Sequence, residues 1–183
     1  MSLGYWETFI ESQGDGPVLT AAAAATCLPA QAKRILESGT LRYIGQQMRV
    51  YASGRISCAV TTPGTARFDV RLGGTVVFDT LAMNLNIVAK TSVHWVLDVL
   101  LTVRSVGSAG NLMGQGTWTS EAVIGSAVPT VGSSGVFTVP YATAPAVGGN
   151  IDMNAANVFD MFFTQTAVTG SMTLHQLNVS LLN

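Results

Sequence analysis

Ser92-Val93-His94-Trp95-Val96-Leu97-Asp98-Val99-Leu100-Leu101-Thr102-Val103-Arg104-Ser105 carries an apolar residue at every second position from Val93 to Val103. Val93, Trp95, Leu97, Val99, Leu101 and Val103 share one parity, which in an extended chain means one face. A helix would place Asp98 and Arg104 badly, and the β-branched content favours extended backbone. The stretch predicts one long strand with a buried side.

The neighbouring segments read the same way. Ala66 to Leu72 alternates cleanly, with Phe68, Val70 and Leu72 on one side and Arg67, Asp69 and Arg71 on the other; the second side faces solvent or a partner. Gly73-Gly74 turns this strand into Thr75 to Asp79. Ser53-Gly54, between Met48–Ala52 and Arg55–Val60, reads as a further hairpin turn. Leu112 to Ile124 is the expected neighbour of the long strand, reached through the loop Gly107 to Asn111. Val158 to Thr166 and Met172 to Leu182 are two more strands, joined by a turn at Val168 to Ser171. Pro129 to Asn150, rich in Gly, Pro and Ser, is an extended connection with a short strand at Gly135 to Val139. About eight strands without helical periodicity predict an all-β fold, an antiparallel β-sandwich, and the long late crossover favours a jelly roll or Greek key. Phe68, Val70, Trp95, Leu97, Val99 and Leu101 are the expected core.

The segment before Gln47 differs in composition. Trp6 to Glu11 predicts one helical turn, Gly14-Asp15-Gly16-Pro17 breaks it, and Ala21 to Ala25 suits helix or extended arm equally. Residues 1–40 are read as an N-terminal arm and 41–183 as the sandwich domain. The arm's apolar cluster Tyr5, Trp6, Phe9 and Ile10 is the candidate partner-binding site.

Composition limits what such a domain can do. Only 10% of residues are charged while 48% are hydrophobic, against about 25% charged in an ordinary domain. The chain therefore covers itself with neutral polar groups or buries surface in an assembly. A membrane helix needs about 20 consecutive apolar residues, and Val93 to Val103 is broken by His94, Asp98 and Thr102, so no membrane partner is expected. The first residues are acidic and amphipathic, unlike a signal peptide, so the chain is expected to be made in a cytoplasm. Net charge is −1 and the nine Lys and Arg residues are scattered, which argues against nucleic acid. Cys27 and Cys58 lack metal-ligand spacing and read as buried thiols.

Candidate chemistry is sparse. His94 and Asp98 are roughly 13 Å apart along one strand, too far for a dyad, and His94 reads as solvent-facing. His175 shares the parity of Leu177, Val179 and Leu181 and reads as a core-edge or interface residue. No nucleophile elbow, zinc helix or P-loop motif occurs. Met113-Gly114-Gln115-Gly116 lies within a strand, where glycines mark bulges or close contacts. Asp152-Met153-Asn154 lacks calcium-loop spacing, and Asn178-Val179-Ser180 matches a glycosylation sequon but reads as plain strand. No catalytic residue, cofactor or metal site is expected. A glycosidase would need two converging carboxylates, for which Asp98, Glu121, Asp152 and Asp160 are the pool.

Several runs together resemble a group of small structural proteins of tailed bacteriophages: Leu28-Pro29-Ala30-Gln31-Ala32-Lys33, Ala52-Ser53-Gly54-Arg55-Ile56-Ser57, Thr61-Thr62-Pro63-Gly64-Thr65, His94-Trp95-Val96-Leu97-Asp98, Asn111-Leu112-Met113-Gly114-Gln115-Gly116 and Ser120-Glu121-Ala122-Val123-Ile124-Gly125. The resemblance implies a virion component with a β-sandwich fold. The leading expectation is a capsid decoration, or cement, protein: a homotrimer on the capsid surface, at local three-fold positions, stabilising the major capsid protein lattice. The alternative is a tail or fibre component that binds a host receptor or glycan, using exposed aromatics and loops such as Gly132-Ser133-Ser134-Gly135. A β-sandwich carbohydrate-active enzyme ranks third.

Overall fold

The computed structural model describes residues 5–59, 64–125, 135–168 and 170–182. Residues 132–134 of the expected loop and 169 of the expected turn lie outside these. In chain order the strands are β1 (Trp6–Glu11), β2 (Ala24–Thr26), β3 (Ile35–Leu36), β4 (Gln47–Cys58), β5 (Thr65–Leu72), β6 (Thr75–Asp79) and β7 (Met83–Leu85). They continue as β8 (Lys90–Ser105), β9 (Gly110–Ser120), β10 (Val123–Gly125), β11 (Val136–Val139), β12 (Val147–Ile151), β13 (Asn157–Gln165) and β14 (Ser171–Leu182). Among the described residues the one helical element is a 3-10 turn at Ala30–Ala32, and no helix is long and apolar enough to cross a membrane.

The strands form two antiparallel sheets packed as a sandwich. The front sheet runs β1-β14-β4-β8-β9, with β11 and β12 sharing the outer edge of β9. The back sheet runs β10-β7-β5-β13-β2, with β6 beside β5 and β3 beside β13. In the front sheet β14 returns to lie beside β4, which is followed by β8 and β9. Between β4 and β8 the chain crosses to the back sheet for β5, β6 and β7, so β4 and β8 are not joined by a hairpin.

Alternation decides which side chains enter the space between the sheets. From β8 come Trp95, Leu97, Val99, Leu101 and Val103, and from β5 Phe68, Val70 and Leu72, all with almost no solvent exposure. The six expected core residues are therefore in the core. Phe68 is its centre: its ring lies 4.7 Å from Trp95, 4.9 Å from Trp118 and 5.1 Å from Phe163.

Three local expectations change. Ser53-Gly54 is not a turn, because β4 runs unbroken from Gln47 to Cys58 between β14 and β8. Gly54 serves close approach instead: a Cβ there would sit 2.0 Å from the carbonyl oxygen of Thr173, beside a bulge in β14 between Leu174 and Gln176. Leu112 to Ile124 is not one strand either; β9 ends at Ser120 and β10 continues in the back sheet, paired with β7. The predicted helical turn at Trp6 to Glu11 is strand β1, which takes its ladder hydrogen bonds from the edge of β14.

Residues 5–40 follow the same logic. β1 extends the front sheet while β2 and β3 pair with β13 in the back sheet. Between them the backbone N–H of Gly16 donates to the Leu174 carbonyl, and Leu19 and Met172 exchange hydrogen bonds. Cys27, Leu28, Ala32 and Leu36 join the core. This segment thus wraps its own sandwich and supplies strands to both layers.

Both cysteines are free and buried. The Cys27 thiol donates to the Met161 carbonyl at 3.2 Å. Burial, reinforced by the negative charge of Asp160, pushes its pKa well above the ordinary value of 9.0; burial also raises that of Cys58.

Three measurements check this account. Trp95→Ala should lower unfolding free energy by about 3–5 kcal/mol, read by denaturant titration; an unchanged midpoint would mean a wrong register for β8. Gly54→Asn, which a turn would tolerate, should cost roughly 1–3 kcal/mol through overpacking against β14. The raised thiol pKa of Cys27 makes a stabilising contribution that is complete below the pKa of the unfolded thiol. That contribution is lost as pH rises toward the native value. Stability should fall between about pH 8 and 10, approaching at most about 1.4 kcal/mol per pH unit for each such thiol, and Cys27→Ala should flatten the slope.

Candidate functional site

The two outer faces of the sandwich have different chemistry. On the back sheet the charged outward residues of β5, β6 and β13 answer one another or a neighbouring loop. Lys33 meets Asp160 at 2.8 Å, Arg67 meets Asp79 at 3.1 Å, and Arg71 chelates the buried carboxylate of Asp69. The Arg71 guanidinium also lies 3.7 Å above the ring centre of Phe162. Three cations and three carboxylates leave this face neutral.

Arg49, Arg55, Asp98 and Arg104 apart, the outward residues of β4, β8 and β14 on the front sheet are largely neutral. Register places Tyr51 of β4 opposite Asn178 of β14, Arg49 opposite Ser180, and Trp6 of β1 opposite Leu182. Trp6, Arg49, Tyr51, Asn178 and Ser180 line an open groove of about 390 Å³. One charge pair stands here: Arg49 donates through Nε and Nη2 to the two Asp98 carboxylate oxygens at 2.9 and 2.6 Å. These bonds, followed by the direct attraction of Asp98, raise the guanidinium pKa. Beside it Ser180 Oγ donates to Asn178 Oδ1 at 2.7 Å.

The anchor cluster expected in the N-terminal segment divides. Tyr5 and Trp6 are exposed by 60% and 47%, Phe9 is half-buried against the core, and Ile10 is 1% exposed within it. Ile10 pairs in register with Val179, after a bulge between Thr8 and Ile10. Ile10 is thus held by its own chain, while Tyr5 and Trp6 remain presented outward.

The other singled-out residues fall as follows. His94 is exposed on β8, and His175, at the β14 bulge, lies 2.8 Å from Asp15 through Nδ1. Gly114 and Gly116 sit where a Cβ would meet Phe78 at 2.2 Å and the Asp98 carbonyl at 2.1 Å, so both serve close packing within the fold. Asp152 caps its own loop by accepting the Asn154 N–H. The carboxylate pool does not converge. Asp98 lies between buried Leu97 and Val99 and so points out from the front sheet, while Asp160, between buried Phe159 and Met161, points out from the back sheet. Glu121 is exposed and reaches Lys90 at 3.3 Å. Two carboxylates on opposite faces cannot flank one glycosidic bond. Among the described residues no three His, Cys, Asp or Glu gather as metal ligands.

Arg49, Tyr51 and Ser180 carry no motif, and Asn178 drew notice only as part of a sequon. A half-buried strand presents such residues by default, and only register brings these together across three strands.

No protein-family model matches the chain, and no curated protein matches it. Among solved structures, the CBM2 module of the evolved Dit of Lactobacillus casei BL23 phage J-1 is similar over 98% of this chain and 97% of its own, at 11% identity and a TM-score of 0.41. A legume lectin-like domain from Entamoeba histolytica is similar over 95% of this chain and 88% of its own, at 8% identity and a TM-score of 0.28. Neither likeness assigns a residue or a ligand here; this chain is an antiparallel β-sandwich whose chemistry is read from its own two faces.

Proposed function

We propose that the chain is a non-enzymatic structural component of a phage virion, a decoration protein that binds and stabilises the lattice of major capsid protein on the capsid surface. Neither nucleic acid nor membrane is its partner in this reading. The observation that carries it is the exposure of Tyr5 and Trp6 at the start of an edge strand. Among the described residues β14 is the one strand that pairs with β1, which therefore ends the front sheet, the position at which a partner strand can add. Two exposed aromatics beside that edge supply apolar area, worth roughly 25 cal/mol per Å² when buried. With Ile10 committed to the core, the attachment site narrows to Tyr5 and Trp6, with Phe9 at its margin. A homotrimer suits the reading, because a closed ring covers such edges without growing into a filament.

A second reading, a tail or fibre component that binds a host receptor or glycan, is favoured by the front-sheet groove. Copy number separates the two: hundreds per virion fit a head lattice, a few to a dozen fit a tail.

Substitution is the proper test of attachment, because deleting β1 would bare the β14 edge and Ile10's site. The double variant Tyr5→Ala/Trp6→Ala should keep the wild-type melting temperature, since both side chains are exposed. Its binding to undecorated heads in co-sedimentation should weaken by at least about tenfold. Unchanged binding would overturn the decoration reading.

A further inference from the structure

We infer that the groove lined by Trp6, Arg49, Tyr51, Asn178 and Ser180 is a binding site for a neutral saccharide; this rests on the second reading above and not on the capsid reading. Trp6 and Tyr51 stand on β1 and β4, which flank β14. Neighbouring strands are about 4.8 Å apart, so the two aromatics rise from strands roughly 10 Å apart; Trp6 stands level with Leu182 and Tyr51 with Asn178, a stagger of four residues, roughly 13 Å, along β14. Asn178 and Ser180 of β14 form a polar floor between them. The arrangement admits a saccharide laid diagonally over the floor, with Trp6 toward one end and Tyr51 toward the other.

The groups match what a sugar offers. Its C–H faces carry slight positive charge and are drawn to the negative faces of aromatic rings. Its hydroxyls need fixed donors and acceptors. Ser180 Oγ holds the Asn178 oxygen, which leaves the amide N–H groups for a ligand and the serine oxygen free to accept. Arg49 has five N–H donors, two of which are committed to Asp98; the others are open to a ligand.

Charge selects the class. The Arg49 cation is matched by Asp98 in a two-point contact, so the groove has no net charge with which to favour phosphate or an acidic sugar. The floor is polar, which disfavours an apolar peptide anchor. The volume of about 390 Å³ lies within the usual range of small-ligand sites, roughly 300–1,000 Å³. Four of the five lining residues sit on the paired strands β4 and β14, so little ordering is needed on binding.

Tryptophan fluorescence of the full chain gives a direct readout, because of its three tryptophans only Trp6 is exposed, Trp95 and Trp118 being fully buried. The protein is titrated with glucose, galactose, rhamnose, N-acetylglucosamine, their short oligosaccharides and galacturonic acid, and binding is confirmed by calorimetry. At least one neutral sugar should bind with a shift in Trp6 emission. Trp6→Ala and Tyr51→Ala should each weaken calorimetric binding by about tenfold or more, with melting temperatures unchanged, while Val158→Ala on the back face should have no effect. Absence of binding by every neutral sugar up to about 10 mM would overturn the inference. So would binding unaffected by both aromatic substitutions, or a preference for galacturonic acid. Failure of the second reading would appear instead as hundreds of copies per virion, a result independent of the sugar titrations.

Discussion

The packing of Phe68 against Trp95 and Trp118 is the contact on which the two-layer structure depends. Phe68 projects from the back sheet and the two tryptophans from adjacent strands of the front sheet, with Phe163 beside Phe68 on β13 in direct register. Aromatic side chains bury about 150–250 Å² each and prefer the tilted and edge-on geometries found here. The indole N–H groups of Trp95 and Trp118 find no hydrogen-bond partner among the described residues. Leaving a polar group unsatisfied in a core costs roughly 1–3 kcal/mol, so the packing of these rings outweighs a sizeable penalty. With Phe68 fixed inward, period two sends Arg67, Asp69 and Arg71 outward, and the charged character of the back face follows.

That partition explains the low charge of the chain. The back face holds three ion pairs in a neutral array, including a carboxylate, Asp69, only 1% exposed beneath Arg71. The front face is solvated by hydroxyls and amides from β8, β9 and β14, beside the Arg49–Asp98 pair and the exposed Arg55 and Arg104. A surface of this kind is suited to recognition by shape, stacking and directed hydrogen bonds. Long-range electrostatic steering has little to act on.

β1 joins architecture to function. A single bulge places Ile10 in the core and leaves Trp6 on the outer face, so the same six residues close the front sheet and furnish its most exposed tryptophan. Trp6 belongs to both proposed contacts, with a capsid partner through the strand edge and with a sugar through the groove. The two uses exclude one another in any one molecule.

The sequence by itself determined the fold class and much of the core, because alternation in Phe68 to Leu72 and Val93 to Val103 is a local property of the chain that directly states which side is buried. Gly73-Gly74 likewise declared its hairpin through the conformation both glycines adopt, with positive φ. Ser53-Gly54 misled because a glycine required by a neighbouring backbone looks the same in sequence as one required by a turn. Trp6 to Glu11 misled because its strand character comes from the edge of β14, more than 160 residues away in the chain. The groove was invisible for the same reason. Arg49, Tyr51, Asn178 and Ser180 are ordinary outward strand residues until antiparallel register sets them side by side, and register is decided by the closing of the whole sheet around its aromatic core.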